Sequence, residues 1–169
     1  MWYYLYVENQ LKNSAEDLLT STNIIEILSK FGEVHIVGSY AFDLMTEPDI
    51  DLVVITSSPQ KSSEDALEYV SKQHLFQKIE YGDFRKFPRE NRPPFFIFNM
   101  RTPWDGKFFE IEAWFVPEAK GKLDFVEIMK NISNEQKQKI LELKIKRQKE
   151  GINKSKLSSF EIYQQVLKI

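Results

Sequence analysis

The chain has 169 residues, of which 42% are hydrophobic and 14% aromatic, enough for one globular domain with a sizeable core. It contains no cysteine and two histidines, which excludes a disulfide framework, a thiolate metal site and an all-histidine zinc site. The net charge of −2 argues against a protein that binds duplex nucleic acid through an overall basic field. The N-terminal segment lacks signal-peptide features, and no stretch approaches the ~18 apolar residues of a membrane span, so we expect a cytoplasmic protein without a membrane partner.

The charge is unevenly distributed along the chain. Residues 120–169 carry 12 Lys and Arg against 6 Asp and Glu, whereas residues 1–119 carry 11 against 19. We therefore predict an acidic core over 1–119 and a basic helical extension over 120–169, both within a single structural domain. The opposite charges favour packing of the extension on the core, although lysine-rich helices with solvated faces are the simpler interpretation.

Hydrophobic periodicity predicts an alternation of helices and strands, with three neighbouring strands in the middle of the chain. The predicted elements are one or two helices over 14–31, strands 34–37 and 50–56, a helix over 62–74, strands 76–84, 94–100 and 107–116, and helices 123–130, 133–150 and 158–168. A strong turn signal at Asp105-Gly106 makes the last two strands antiparallel neighbours. The predicted fold class is α/β of the α+β kind: a mixed, mostly antiparallel sheet of about five strands with flanking helices.

The strand over 107–116 carries two acids on one face. Its period of two places Glu110, Glu112 and Trp114 together, with apolar residues opposite. On an exposed edge strand these glutamates would be ordinary solvated residues, whereas on a central strand they need a cation. The two glutamates lie about 6.5–7 Å apart along the strand, so we expect only one to be level with a given acidic pair on a neighbouring strand.

The most informative segment runs from Gly38-Ser39 to Asp49-Ile50-Asp51. The two aspartates are two residues apart on a predicted strand, so both face one side and can ligate hard cations such as Mg²⁺. Gly38 leaves room for a ligand, and Ser39, at a predicted helix start, offers a hydroxyl and backbone N–H groups to phosphate oxygens. A third carboxylate from a neighbouring strand, either Glu110 or Glu112, would complete a site for two metal ions.

This combination resembles the nucleotidyltransferase superfamily that includes DNA polymerase beta, whose signature is Gly-Ser followed on the next strand by Asp-x-Asp. The segments Gly38-Ser39-x-Ala41-x-x-Leu44-Met45 and Asp49-Ile50-Asp51-Leu52 are similar to a group of small bacterial nucleotidyltransferase-like proteins. The similarity covers most of the chain from Val34 onward.

In that group the strand with the third acid reads acid, apolar, Trp, aromatic, any residue, Pro, Glu, which residues 112–118 match. The resemblance therefore selects Glu112 over Glu110. Two positions depart from the group's pattern: its third acid is commonly Asp, and Asp43 stands where a small residue such as Gly is common.

The resemblance implies the nucleotidyltransferase fold and an enzyme that moves a nucleoside monophosphate from a nucleoside triphosphate to an unknown acceptor hydroxyl, releasing pyrophosphate. Asp49, Asp51 and Glu112 would be the catalytic residues and the ligands of two Mg²⁺ or Mn²⁺ ions. Gly38 and Ser39 would hold the phosphates. Either Glu112 or Glu110 would take the acceptor's proton.

Three questions stay open at the level of sequence. Lys144 could also reach the nucleotide's phosphates, although a solvated lysine is the simpler interpretation. The acceptor could be an antibiotic, a sugar, a protein side chain or an RNA end, with the charge disfavouring nucleic acid. The alternative function is a catalytically inactive relative that binds nucleotide or a partner protein, as an antitoxin-like or regulatory module would, and the Glu at the third acidic position favours it.

Overall fold

The structure is a computed structural model that describes residues 2–86 and 95–168, with side chains from Tyr6 onward. Its elements in chain order are α1 (Trp2–Thr22), α2 (Ile24–Ser29), β1 (Glu33–Val37), α3 (Gly38–Ala41), β2 (Asp49–Ile55), α4 (Pro59–Lys72), β3 (Lys78–Asp83), β4 (Phe96–Trp104), β5 (Lys107–Val116), α5 (Lys120–Lys130), α6 (Asn134–Lys149) and α7 (Ser159–Leu167). None of the helices in the described ranges is long and apolar enough to cross a membrane.

The five strands form one mixed sheet in the order β1-β2-β5-β4-β3. The β2–β5 pair is parallel, and the other three pairs are antiparallel. This confirms the predicted mixed, mostly antiparallel sheet of about five strands with flanking helices. It also places β5 at the centre, so the acids of this strand are not the ordinary residues of an exposed edge.

Helices cover both faces of the sheet. On one face, α1, α2 and α4 pack on Ile50, Leu52 and Phe115. On the other face, α5, α6 and α7 pack on Val53 and Trp114. Because β2 side chains alternate, Asp49 and Asp51 belong to the second face, next to the part that the C-terminal helices cover.

The C-terminal helices share a core with the sheet. Val126, Ile140 and Tyr163 are buried in the same apolar cluster as Val53 and Trp114. The division of the chain at residue 119 nevertheless stays a prediction, since shared packing does not define where a folding unit begins.

Several predicted boundaries differ from the observed ones for local reasons. The first helix begins at Trp2 instead of residue 14, and it is separated from α2 by Asn23, whose φ is 50°. The helix predicted from residue 62 begins at Pro59, because proline suits the first turn of a helix. The strand predicted over 94–100 continues to Trp104, since a two-residue turn closes the hairpin directly, and its predicted first residue lies outside the described ranges.

Candidate functional site

The parallel pairing of β2 with β5 aligns four acids in two rows. Asp49 lies opposite Glu110, and Asp51 lies opposite Glu112. Ile50, between the aspartates, is fully buried in the opposite core, as expected from the strand period. The expectation that only one glutamate would be level with the aspartate pair is wrong, because the pairing register gives each aspartate its own glutamate.

Arg101 on β4 distinguishes the two glutamates. Its Nη2 donates a 2.8 Å hydrogen bond to Glu110 Oε1, and its Nη1 lies 2.8 Å from Glu80 Oε2. Glu112 has no guanidinium contact of this kind among the described side chains; its Oε2 accepts a 3.2 Å hydrogen bond from the neutral Trp114 indole. Glu110 therefore has a cationic partner on the side away from the aspartates, whereas Glu112 forms no ion pair among the described side chains and is affected only at a distance by the charge of Lys154.

The three remaining carboxylates repel one another at close range. Burial raises the pKa of Asp51 to about 7, and the negative charges of Asp49 and Glu112 contribute to this rise. Burial also raises the pKa of Glu112, with Glu110 and Asp49 as the nearby charges that add to it. Such a cluster favours binding of a cation, because a cation offsets both the lost solvation and the mutual repulsion.

Gly38 lies directly against this cluster. Its φ is +70°, and a Cβ atom built on it would lie 2.9 Å from Asp51 Cγ and closer still to one of the carboxylate oxygens. Only glycine combines this backbone conformation with this close approach. The neighbouring Ser39 is buried, and its hydroxyl lies 3.5 Å from Asp49 Oδ1.

Two lysines of the C-terminal part reach the acidic cluster. Lys154, in the loop between α6 and α7, donates a 2.9 Å hydrogen bond to Asp49 Oδ2 and forms an ion pair with Glu47. Lys122 on α5 lies 3.6 Å from the centroid of the Trp114 ring, and its charge acts on Asp51. The sequence predictions missed both residues, and the only signal that pointed to them was the excess positive charge after residue 120.

Lys144 lies inside the protein, and its contact with the nucleotide's phosphates stays a prediction. It is only 2% exposed, so the interpretation as a solvated lysine is wrong. Its Nζ donates a 2.6 Å hydrogen bond to the Leu44 carbonyl, and burial lowers its pKa to about 8. Lys144 thus supports the loop that leads into β2, while Lys122 and Lys154 present their ammonium groups at the acidic cluster.

Asp43 shows why a small residue suits its position. Its φ of 58° lies in the left-handed region, which glycine adopts without strain and aspartate tolerates better than most residues. Lys12 and Lys137 both form ion pairs with its carboxylate. Although burial opposes ionisation, these hydrogen bonds hold the pKa of Asp43 below its usual range.

The donor set of the cluster consists of oxygen atoms, which suits a hard cation such as Mg²⁺ or Mn²⁺. Within the residues that the structure describes, however, no three acidic or histidine side chains are already arranged to hold a metal ion. The ammonium of Lys154 lies on Asp49, where it supplies part of the compensating positive charge.

Comparison with known proteins gives one informative match. No protein-family model matches the sequence, and neither does any curated protein. Among solved structures, the chain is similar to that of terminal uridylyl transferase 4 from Trypanosoma brucei with bound GTP, with a TM-score of 0.55 and 14% sequence identity. The alignment covers 97% of this chain and 55% of the other, so the chain spans about half the length of that structure. At this identity the likeness shows the fold alone: the chain has a nucleotidyltransferase-like fold.

Proposed function

We propose that the protein is a metal-dependent nucleotidyltransferase, which transfers a nucleoside monophosphate from a nucleoside triphosphate to an acceptor hydroxyl. The observation that carries the proposal is the grouping of Asp49, Asp51 and Glu112 on one sheet face against Gly38. The fold similarity to a nucleotidyl transferase with bound GTP supports it.

In this proposal each side chain of the cluster has a defined task. Asp49 and Asp51 are the main ligands of Mg²⁺ or Mn²⁺, and Glu112 is the third. Bound metal ions would supply positive charge to the triphosphate and lower the pKa of the acceptor hydroxyl. The carboxylate of Glu112, whose pKa is raised by burial, is suited to accept the proton of that hydroxyl.

The phosphates are held by the surroundings of the cluster. Gly38 allows the nucleotide to approach the backbone, and Ser39 offers its hydroxyl to a phosphate oxygen. Lys154 leaves Asp49 when the nucleotide binds, because the triphosphate carries more negative charge than a single carboxylate, and Asp49 is then free to bind the metal ion. Lys154 and Lys122 contact the triphosphate together.

The direct test is Asp51→Asn, which preserves shape and removes one charged ligand. We expect this variant to stay folded, to lose Mg²⁺-dependent binding of nucleoside triphosphates and to release no pyrophosphate. Binding is measured by calorimetry with each nucleoside triphosphate, and turnover by a pyrophosphate assay with a metabolite extract as the source of acceptors. Asp65→Asn, on the exposed side of α4, is the matched control. Wild-type pyrophosphate release by Asp51→Asn would contradict the proposal.

A second candidate function is a catalytically inactive module that binds nucleotide or a protein partner. The contact of Lys154 with Asp49 and Glu47 favours it, because a lysine that stays there replaces the metal ion permanently. Nucleotide binding that is independent of Mg²⁺ and never followed by pyrophosphate release would select this candidate.

A further inference from the structure

Glu112 is held differently from the other acids of the two rows. Each of the others lies against a residue of a different element: Asp51 against Gly38, Asp49 against Lys154, and Glu110 against Arg101. Glu112 forms no ion pair among the described side chains, and its hydrogen-bond donor is the indole of Trp114. This donor belongs to the same strand as Glu112, which makes β5 itself responsible for the position of the carboxylate.

Glu112 has both the room and an electrostatic reason to turn away from the aspartates. A cavity of about 330 Å³ opens beside it over β4 and β3, lined in part by Asn99 and Gly82. The negative charges of Glu110 and Asp49 act on its carboxylate. Like charges repel, and glutamate has one more rotatable bond than aspartate. Without a restraining contact, the side chain would therefore swing toward the cavity.

The hydrogen bond from Trp114 opposes this swing. Its Nε1 donates to Glu112 Oε2 at 3.2 Å. Side chains two residues apart on a strand leave the same face about 6.5–7 Å apart, a distance that an indole and a glutamate span together. The bond keeps the carboxylate along β5, beside the strand on which Asp51 lies opposite Glu112. It engages one carboxylate oxygen and leaves Oε1 for a cation.

The indole is itself fixed by groups on both faces of its ring. Phe95 stacks on it with ring centroids 4.5 Å apart, and the ammonium of Lys122 lies 3.6 Å from the centroid of the Trp114 ring. Two groups this close cannot share one face, so Lys122 covers the face opposite Phe95. Phe84 extends the stack beyond Phe95 at 4.7 Å. Because turning the ring would break these contacts, the direction of its N–H is fixed.

We propose that Trp114 is a positioning residue for Glu112: the stacked indole holds the carboxylate beside Asp51, ready to bind a metal ion. This role rests on the proposed function, in which Glu112 is a metal ligand. The ring contacts supply rigidity, and the N–H supplies direction. Removing a group that orients a metal ligand typically costs about 10–100-fold in metal affinity.

Trp114→Phe separates the two contributions, because it keeps an aromatic ring next to Phe95 and removes the N–H. Trp104→Phe is the matched control. The Trp104 indole donates a 3.1 Å hydrogen bond to Asp17 Oδ2, and its ring packs on the core of the opposite sheet face. Both variants lose one bond between an indole and a carboxylate, but only Trp114→Phe loses one at the acidic cluster.

The probe is Mn²⁺ alone, and electron paramagnetic resonance of the free ion measures its affinity for the full chain. A double-mutant cycle combines Trp114→Phe with Glu112→Ala, since packing effects common to both backgrounds cancel. We expect Trp114→Phe to weaken Mn²⁺ binding roughly tenfold when Glu112 is present and less than about twofold when it is absent. Trp104→Phe is expected to leave the affinity unchanged.

A second measurement needs no substitution of Trp114 and decides the question if Trp114→Phe does not fold. The indole N–H resonances of Trp114 and Trp104 are assigned in the ¹⁵N-labelled protein, and Glu112→Asp then withdraws the carboxylate by one methylene. We expect the Trp114 resonance to shift and its exchange with water to accelerate, whereas the Trp104 resonance stays in place. Circular dichroism verifies that each variant is folded.

The outcomes separate the positioning role from the proposed function. If Glu112→Ala weakens Mn²⁺ binding but Trp114→Phe leaves it unchanged or strengthens it, the positioning role is overturned and the proposed function stands. An equal loss in both backgrounds, or an unchanged Trp114 resonance in Glu112→Asp, would also overturn the role.

Two further outcomes concern the activity. Coupling between Trp114 and Glu112 in a protein that never releases pyrophosphate would support the positioning role and contradict the proposed activity. A wild type that does not bind Mn²⁺, or an affinity that Glu112→Ala leaves unchanged, would remove Glu112 as a metal ligand and overturn the role together with that part of the proposed function.

Discussion

At the scale of single residues, the candidate site depends on small differences between chemically similar groups. Glu110 and Glu112 belong to the same strand face, yet one is compensated by Arg101 and the other hydrogen-bonds only to the Trp114 indole among the groups described. Glu112, which forms no ion pair among the described side chains, is the carboxylate opposite Asp51. A half-buried carboxylate that lacks a direct ion pair gains more from a metal ion than one that already has such a pair.

This contrast predicts different effects of the same change at the two glutamates. We expect Glu112→Gln to reduce Mg²⁺-dependent nucleotide binding or turnover at least about tenfold, whereas Glu110→Gln changes them much less, because its main contact is to Arg101. Calorimetry and the pyrophosphate assay, run side by side on both variants, measure the ranking. The reverse order would show that Glu110 is the third acid.

Gly38→Ala is expected to disrupt the site through a direct clash with the Asp51 carboxylate. Alanine also strains the left-handed backbone by about 1–2 kcal/mol, so the strain must be separated from the clash. Gly106→Ala provides the matched control, since its φ of +69° is nearly the same as that of Gly38 and no described atom lies within 4 Å of its added Cβ.

Urea denaturation should show the cost of backbone strain in both glycine variants and a larger loss of stability in Gly38→Ala, where the clash with Asp51 adds to the strain. Nucleotide binding with Mg²⁺ should be lost in Gly38→Ala alone. If both variants keep the affinity of the wild type, Gly38 has no special role at the site.

At the scale of elements, α6 braces the loop that precedes β2. Lys137 pairs with Asp43, Lys144 donates to the Leu44 carbonyl, and Gln148 donates to Thr46. These contacts explain why a helix with mainly polar residues is held against the sheet. They also determine where β2 begins, and therefore where Asp49 lies.

Arg147 extends this bracing to α7. Its side chain is buried, its Nη1 donates to the Leu157 carbonyl at 3.1 Å, and its Nη2 lies 3.9 Å from Glu47 Oε2. We expect Arg147→Met to lower the free energy of unfolding by about 2–3 kcal/mol, because the half-buried Leu157 carbonyl loses its hydrogen bond and Glu47 keeps only Lys154 of its two cationic neighbours.

Urea denaturation of Arg147→Met, compared with Lys146→Met on the exposed side of the same helix, measures this effect. An equal and small effect of the two substitutions would contradict the structural role of Arg147.

At the scale of the whole molecule, the C-terminal extension completes the sheet face that carries the acids. Ile140, Ile162 and Tyr163 are buried against the part of that face formed by Val53 and Trp114. Exposing an apolar face of this size to water costs stability at ~25 cal/mol per Å². The extension also contributes Lys122 and Lys154, the two lysines that reach the acidic cluster.

We therefore expect that limited proteolysis does not release residues 120–169 from a folded remainder. A trypsin time course followed by mass spectrometry measures this, with the protein unfolded in urea as the reference for accessible sites. Expression of residues 1–119 alone should give an aggregated product, since the apolar face that α5–α7 cover becomes exposed. A soluble, cooperatively folding fragment 1–119 would contradict this expectation.

The amino-acid sequence by itself determined those features of the fold that depend on residues close together in the chain. The period of two in β2 placed Asp49 and Asp51 on one face and Ile50 in the core, and the Asp105-Gly106 turn joined β4 to β5. The same local signals predicted the class of the sheet. Helix and strand periods and turn conformations are short-range properties of the backbone, so a single sequence reveals them.

Only the tertiary structure decided which distant groups meet. In the tertiary structure β5 pairs with β2 in parallel, and Arg101 binds Glu110. Lys144 is buried and donates to the Leu44 carbonyl. Lys154 contacts Asp49, which lies 105 residues earlier in the chain. Charge and composition do not predict which lysine pairs with which carboxylate, because the sequence offers many such pairs that are chemically equivalent. Packing of α5–α7 on the sheet selects among them, since only one arrangement buries the apolar faces of both.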